Sequence, residues 1–200
     1  MMLSEETAVP EAALPLDELR AHLRLGTGFA DLQAADAVLI SYLRAAIAAV
    51  EGRTTKALLA RDYRLELAAW RGDGDQPLPV APVSAVSEVL LRDAAGAEVV
   101  VPAAGYRLVP DLGRPRLEAL SGALPVIGQG GVAVVRFTAG FGPDWADVPV
   151  DLAQAVLMLA AQFYETRHEG AAASAGSLPF GVLALIERWR TVRVLGGRGA

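Results

Sequence analysis

The sequence has no cysteine, only two histidines and a single lysine. Without thiols, the chain has no disulfide framework, no cysteine nucleophile and no thiolate metal site. Every mechanism that needs an imidazole base or ligand must use His22 or His168. We expect His22 to be an ordinary side chain on the polar side of a short helix, so His168 is the one histidine with a functional hypothesis to test.

Long apolar runs and a strong excess of positive charge are also missing. Residues Met1 to Glu6 are acidic where a secretory signal needs a basic start and an apolar run, so we expect no export. The apolar stretch 34–50 is interrupted by Asp36 and Arg44, and the stretch 152–163 is far shorter than the roughly 20 residues of a membrane span. We therefore expect a soluble protein with no membrane partner.

The net charge is −5 and the arginines are scattered along the chain. Tight, sequence-specific DNA binding needs a clustered basic surface, and the sequence does not predict one. A neutral or acidic surface would still let DNA slide past without gripping it. The composition therefore argues against a sequence-specific DNA-binding protein. It is compatible with a protein that lines a channel for DNA.

Hydrophobic residues make up 53% of the 200 residues, enough for a core built from Ala, Val and Leu. Leucines at three- and four-residue spacing after Pro15 predict a short helix, and a second stripe predicts a longer helix from Ala34 to about Glu51. Near the other end, Asp147-Val148-Pro149 predicts a helix start, and one last helix is predicted over 179–190.

Between these helices the hydrophobic period changes to two, which is typical of half-buried strands. The predicted strands are 63–67, a hairpin of 86–91 with 98–101, a second pair of 106–109 with 116–120, and a strong strand at 131–138. The fold class predicted is α+β, with helix pairs from both ends of the chain forming a helical unit around a small central antiparallel sheet region of five or six strands.

The predicted organisation has three parts. Residues 1–14 are an irregular N-terminal segment and 191–200 are a flexible C-terminal tail. Residues 15–190 form a single domain, with helices in 15–57, a β region in 61–139 and helices in 148–190.

No nucleophile or phosphate motif emerges. None of the serines lies in a Gly-x-Ser-x-Gly elbow. The glycine-rich run Gly128 to Gly131 precedes a strand and not a helix, so it predicts a hairpin turn and not a phosphate loop. No cofactor is expected.

The strongest challenge to a non-enzymatic role is Glu165-Thr166-Arg167-His168, because a Glu-x-x-His spacing puts a carboxylate and an imidazole on one helix face. Together with Asp151 these residues define the alternative hypothesis, a metal- or acid-dependent hydrolase. A metal site of this type needs a second copy of the motif, which the chain lacks.

The acidic residues Asp144, Asp147 and Asp151 lie close together in sequence near the predicted helix start. The favoured interpretation is that Asp147 caps the helix and Asp151 stabilises its positive end. A third functional hypothesis, a monomeric carbohydrate- or peptide-binding module, requires Trp70, Trp145 and Tyr106 to form one exposed patch.

Several segments resemble the head–tail connector (adaptor) proteins of long-tailed phages and gene transfer agents. The run Phe137 to Gly142 (FTAGFG), the helix start Asp147 to Pro149 and the helix end Tyr164 to Arg167 (YETR) match the family's pattern in order. Similar segments also include Leu16 to Arg24, Val50 to Thr54, Leu178 to Val182 and Trp189-Arg190. One departure is Gly52, where many members have a bulkier residue.

The resemblance implies a structural virion protein and no enzyme. The subunits would form a dodecameric ring that docks on the portal protein at the capsid vertex, meets a tail-side stopper or terminator protein, and surrounds double-stranded DNA without reading its sequence. Assembly would take place in the bacterial cytoplasm. A chain rich in apolar residues but without site chemistry agrees with surface buried between subunits.

The expected portal or subunit interface lies at the C-terminus, because the segment after Arg190 alternates apolar and basic residues before a glycine-rich end. The alternative for this segment is a disordered tail. The interface residues predicted are Trp189, Arg190, Val192, Arg193, Val194 and Leu195.

Overall fold

The leucine stripes in the N-terminal part form helices, as predicted. A computed structural model of the chain describes residues 1–24, 32–168 and 178–190. Within these ranges, only the backbone is described at 32–35 and 168. Helix α1 spans Leu16–His22 and helix α2 spans Leu32–Thr54. Helix α2 ends where Thr55 adopts a positive φ of 57° and the Thr54 hydroxyl donates to the Val50 carbonyl over 2.8 Å.

The C-terminal helices are α3, Val150–Glu165, and α4, Phe180–Ile186, which a 3₁₀ turn extends to Trp189. Helix α3 packs against α2, α1 and α4. Their shared core is made of aliphatic side chains that are almost completely buried, including Leu19, Leu43, Val50, Leu152, Val156 and Ile186. None of the helices in the described parts of the chain is long and apolar enough to cross a membrane.

The strands form two antiparallel sheets, not the single sheet of five or six strands that the sequence predicts. A five-stranded sheet has the order β1-β2-β8-β4-β5, and a three-stranded sheet has the order β3-β7-β6. The strands are β1 Met2–Glu5, β2 Arg61–Leu67, β3 Asp75–Pro77, β4 Val83–Arg92, β5 Glu98–Val100, β6 Tyr106–Val109, β7 Arg116–Ala119 and β8 Val132–Ala139. The α+β class is confirmed.

The prediction of an irregular segment over 1–14 is wrong at its start. Met2–Glu5 form β1, which pairs with β2 at the edge of the larger sheet. Because β1 is short and largely exposed, it lacks the alternation of apolar and polar residues that marks a half-buried strand. It forms a strand because it pairs with β2. Strand β3 was not predicted because it has only three residues and contains Pro77. Proline argues against a central strand and is tolerated only at a sheet edge, which is where β3 lies.

A second core lies between one face of the larger sheet and the smaller sheet. Tyr63 and Phe137 stack on neighbouring strands with ring centroids 5.6 Å apart, and Leu117 of the smaller sheet is fully buried in the same cluster. The glycine-rich run before β8 forms a turn, with the Gly131 N–H donating to the Gly128 carbonyl over 2.9 Å. Since β7 and β8 belong to different sheets, this turn does not close a hairpin.

A buried arginine joins the helical and sheet parts of the molecule. The Arg61 side chain is 6% exposed and lies 2.6 Å and 3.0 Å from the two carboxylate oxygens of Glu51 on α2. A third carboxylate, Glu5 of β1, lies 3.0 Å away. Glu51 also accepts the Leu58 N–H over 2.7 Å, so it fixes the segment that leads from α2 into β2.

The segment that leads from β8 towards α3 passes very close to the segment that leads from α2 into β2. Gly140 follows β8 with a φ of 139°, and a Cβ atom there would lie 2.4 Å from the backbone of Ala60. Only glycine fits both the backbone conformation and the space. The segments before β2 and after β8 are therefore in direct backbone contact.

We expect Glu51→Ala to lower the free energy of unfolding by about 3 kcal/mol, because it leaves the Arg61 charge buried without its main partner. The matched change Glu5→Ala, at a side chain that is 53% exposed, should cost less than about 1 kcal/mol. Urea denaturation of both variants measures the difference. Equal losses for the two variants would contradict the central role of Glu51.

Candidate interface surfaces

The C-terminal helix is tied to the start of α3 through Trp189, the first of the predicted interface residues. The Trp189 indole N–H donates to the Asp151 carboxylate over 2.7 Å. Its ring also meets Phe141 edge to face, with centroids 5.5 Å apart. Trp189 is half-buried, so it anchors the end of the chain to the helical core and offers only part of its ring for contact.

Asp151 has two partners from the C-terminal turn. One is Trp189, and the other is Arg188, whose Nε atom lies 2.6 Å from the Asp151 carboxylate. Within α3 itself, the Leu152 N–H also donates to this carboxylate over 3.0 Å. Burial by itself would raise the pKa of Asp151, but Arg188 and these hydrogen bonds outweigh burial and lower the pKa below its usual value. Its place in the first turn of α3 also suits the positive end of the helix, as predicted.

The prediction that Asp147 caps α3 is wrong. Pro149 occupies the cap position, and Asp147 lies in a preceding 3₁₀ turn where its carboxylate accepts the Asp144 N–H over 3.0 Å. Asp147 is the last residue of this turn, so it lies outside the helix that it was expected to cap. The Asp147 carboxylate instead occupies the space beside Gly142, where a Cβ atom would lie 2.1 Å from it.

Arg190 is exposed at the end of the described chain, where its guanidinium lies 3.0 Å from Glu187. Arg190 is thus accessible for contact with another molecule. The remaining predicted interface residues, Val192, Arg193, Val194 and Leu195, lie outside the described residues.

The structure does not bring together the residues of the hydrolase hypothesis. Asp151 lies in the first turn of α3 and Glu165 is its last residue, which separates them by about 21 Å along the helix at 1.5 Å per residue. Glu165 is exposed, and the backbone of His168 lies beyond the helix in a 3₁₀ turn. Within the described residues, no group of three or more metal-ligating side chains occurs.

The aromatic patch of the carbohydrate-binding hypothesis is not formed either. Trp145 packs against the helical core, whereas Trp70 and Tyr106 pack against the core between the sheets. The Trp70 indole N–H donates to the Pro125 carbonyl over 2.7 Å. These rings serve two separate cores and do not share a binding surface.

Large apolar side chains that the sequence analysis did not single out are exposed at the helix starts and on the outer strand of the sheet. Val150 begins α3 and Phe180 begins α4, and each is 85% exposed. Val99 and Val100 of β5 are 66% and 60% exposed. Each of the first two lies two residues before the first buried position of its helix, about 160° around the axis, so helical spacing could have marked both as outward-facing. Exposed side chains of this kind are candidates for contact with another subunit where several of them adjoin, as Val99 and Val100 do on β5.

Three solved structures with full-length similarity connect this architecture to known particles. A chain in the neck of an empty gene transfer agent (GTA) particle, computed with C6 symmetry, is 65% identical with a TM-score of 0.89. A chain in the virion of a native GTA particle is 65% identical with a TM-score of 0.86, and one in the neck of a native particle, computed with C12 symmetry, is 60% identical with a TM-score of 0.84. Each match covers 100% of both chains. No family model and no curated protein matches the sequence.

The attachment of Trp189 to Asp151 should weaken in acid. Because the folded pKa of Asp151 is lowered, its stabilising effect is fully present above the unfolded pKa of about 3.9 and is lost as the pH falls from that value through the lower folded pKa. In a Trp70→Phe/Trp145→Phe background, we expect Trp189 fluorescence to shift as the pH falls from about 4 to about 2.

Asp151→Asn in that background should remove the fluorescence titration. The control Glu187→Gln, at an exposed carboxylate in the same C-terminal turn, should leave it unchanged. A titration that persists in Asp151→Asn would show that another acid controls the attachment of α4.

Proposed function

Since the chain belongs to the head–tail connector (adaptor) family of gene transfer agents and phages, we propose that it is a structural protein of the particle neck that links capsid to tail. The observation that carries this proposal is 60–65% identity to chains of GTA necks and virions over the full length of both partners. The matches extend over every helix and strand of the fold. Its location would be the portal vertex of a virion or phage-like particle, after assembly in the bacterial cytoplasm.

We infer a ring of twelve subunits. One similar neck was computed with C12 symmetry and another with C6 symmetry, and twelve copies are compatible with both. A ring is built from heterologous contacts, in which two different surfaces of the same subunit meet. The exposed apolar residues at separate places on the fold, such as Val150 and Val99, provide surface for such contacts.

The C-terminus is the proposed portal contact. Trp189 fixes the last turn against Asp151, so the chain leaves the helical core at a defined place with Arg190 exposed. In the following residues, Arg193 stands between Val192 and Val194, and Leu195 comes after them. An alternating segment can bury one row of side chains in a partner's groove while the other row remains at the rim.

A tail-side stopper or terminator protein would bind the opposite end of the ring, and double-stranded DNA would pass through its centre. Arginines on the sheet face opposite the second core are paired with glutamates. Arg136 lies 2.7 Å from Glu88, and Arg64 lies 2.5 Å from Glu66. Arginines neutralised in this way bind phosphates weakly, which suits a subunit that DNA must pass without being held.

The proposed location is tested by electron microscopy of assembled particles that carry a labelled copy of this chain. We expect twelve copies in a ring between the capsid vertex and the tail. Absence of the chain from the portal vertex would contradict the proposed function, and a ring with another copy number would contradict the stoichiometry alone.

Deleting residues 191–200 should abolish binding to purified portal rings while leaving the fold intact, because the Trp189 anchor is retained. The matched deletion of 196–200 removes only the glycine-rich end and should bind as the full chain does. Co-sedimentation with portal rings measures both variants. Unchanged attachment after the longer deletion would rule out the C-terminal docking role.

A further inference from the structure

We propose that the outward face of α2, together with the groove at its C-terminal end, is the surface on which a second copy of this chain packs. The inference rests on the proposed ring and names the part of the subunit that makes its lateral contact. We call this surface the α2 face and define it by the exposed residues of α2 from 37 to 53 and the groove that they border.

The α2 face has too few charges for a helix surface in water. Eight residues of α2 between 37 and 53 are exposed, and only two of them are charged. A helix at the surface of a soluble protein normally carries charged and polar residues on its outer side. The exposed residues are Ala37, Val38, Ser41, Arg44, Ala45, Ala48, Gly52 and Arg53.

Most of these residues fall on one side of the helix. At 100° per residue, the positions from Ala37 to Gly52 lie within an arc of about 120° that runs the length of the described helix. Apart from Arg44, their side chains are small, so a neighbouring element can approach the backbone closely along most of the face. Among the described residues, no other atom lies within 4 Å of the place where a Cβ atom of Gly52 would be, so this part of the chain leaves space at the end of the face.

That open space belongs to a groove of about 380 Å³ between α2, the end of α3 and the start of α4. Its lining includes Ala48, Leu159 and Phe163, which are apolar, and Gln162. The Gln162 Oε1 atom is buried and accepts no hydrogen bond from the described residues. A buried acceptor without a donor is costly, so a partner that brings an N–H group into the groove would gain a hydrogen bond along with apolar contact.

A second copy is the partner that best fits the shape and position of this surface. In a neck with C12 symmetry every subunit has an identical neighbour on each side, and the similar necks were computed with C12 and C6 symmetry. Lateral contacts in a ring need a long surface on the side of the subunit, and the stretch of α2 from 37 to 53 provides about 25 Å. The C-terminal turn, proposed for the portal, is a separate part of the fold.

This chain has no cysteine, so an introduced thiol is its only one and its labelling is followed on the band of this chain after electrophoresis. In Ala45→Cys the thiol lies in the middle of the α2 face. We expect it to react fully with a maleimide in the free subunit and at least about tenfold more slowly in assembled particles. Ala95→Cys, in the exposed turn between β4 and β5, calibrates the reagent on the free chain, and denatured particles give the total thiol count.

The identity of the neighbour is tested at the rim of the groove. Arg53→Cys, labelled with a short maleimide–diazirine and photolysed in assembled particles, should give a conjugate between two copies of this chain. A thiol at position 45 that reacts equally in particles and free subunits would overturn the inference. So would a conjugate of the Arg53→Cys label with a different neck protein or only with its own chain.

These results separate the inference from the proposed function. If the chain is absent from the neck, the proposed function fails first. If it is present in the neck but the thiol at position 45 remains reactive, only the assignment of the α2 face fails.

Discussion

The ion pair between Arg61 and Glu51 is the interaction on which the arrangement of the two cores depends. It joins the last turns of α2 to the first residue of β2, and it recruits Glu5 so that the N-terminal strand is held at the same point. Burying a charge without a partner is expensive, so the pair can form only when helix, strand and terminus take up their native places together. Gly140 reinforces this arrangement from the other side, since its missing side chain lets the chain leaving β8 touch the chain entering β2.

The parts of the fold that were predictable from the sequence are those in which the signal repeats locally. The stripe Leu39, Leu43, Ile47 and Val50 identifies α2, and alternation identifies β2 and β8, because each pattern extends over several turns or pairs. Strands β1 and β3 are short and depend on partners far away in sequence, so no local pattern marks them. The division into two sheets is likewise a matter of long-range pairing, and no pattern in β6 or β7 indicates which sheet they join.

The candidate surfaces were predictable to different extents. Trp189 and Arg190 were identified through the family resemblance, but the half-buried position of Trp189 and its bond to Asp151 depend on the packing of α4 against α3. Asp151 was expected to stabilise the positive end of α3 or, in the hydrolase hypothesis, to act with Glu165 and His168, and neither expectation included a bond to Trp189. Asp147 was expected to cap α3 but belongs to the 3₁₀ turn that precedes it, and Pro149 takes the cap position. The small residues of α2 can be read from the sequence, but only the structure shows which of them α3 leaves exposed.

The bond between Trp189 and Asp151 also has a mechanical consequence. Tension applied to the C-terminus enters the fold at the base of α3, beside Phe141 and the end of β8, and does not first unwind α4 from its free end. In the proposed ring, a load on the C-terminus would therefore act on the helical core and on β8, the central strand, which is paired with β2 on one side and β4 on the other.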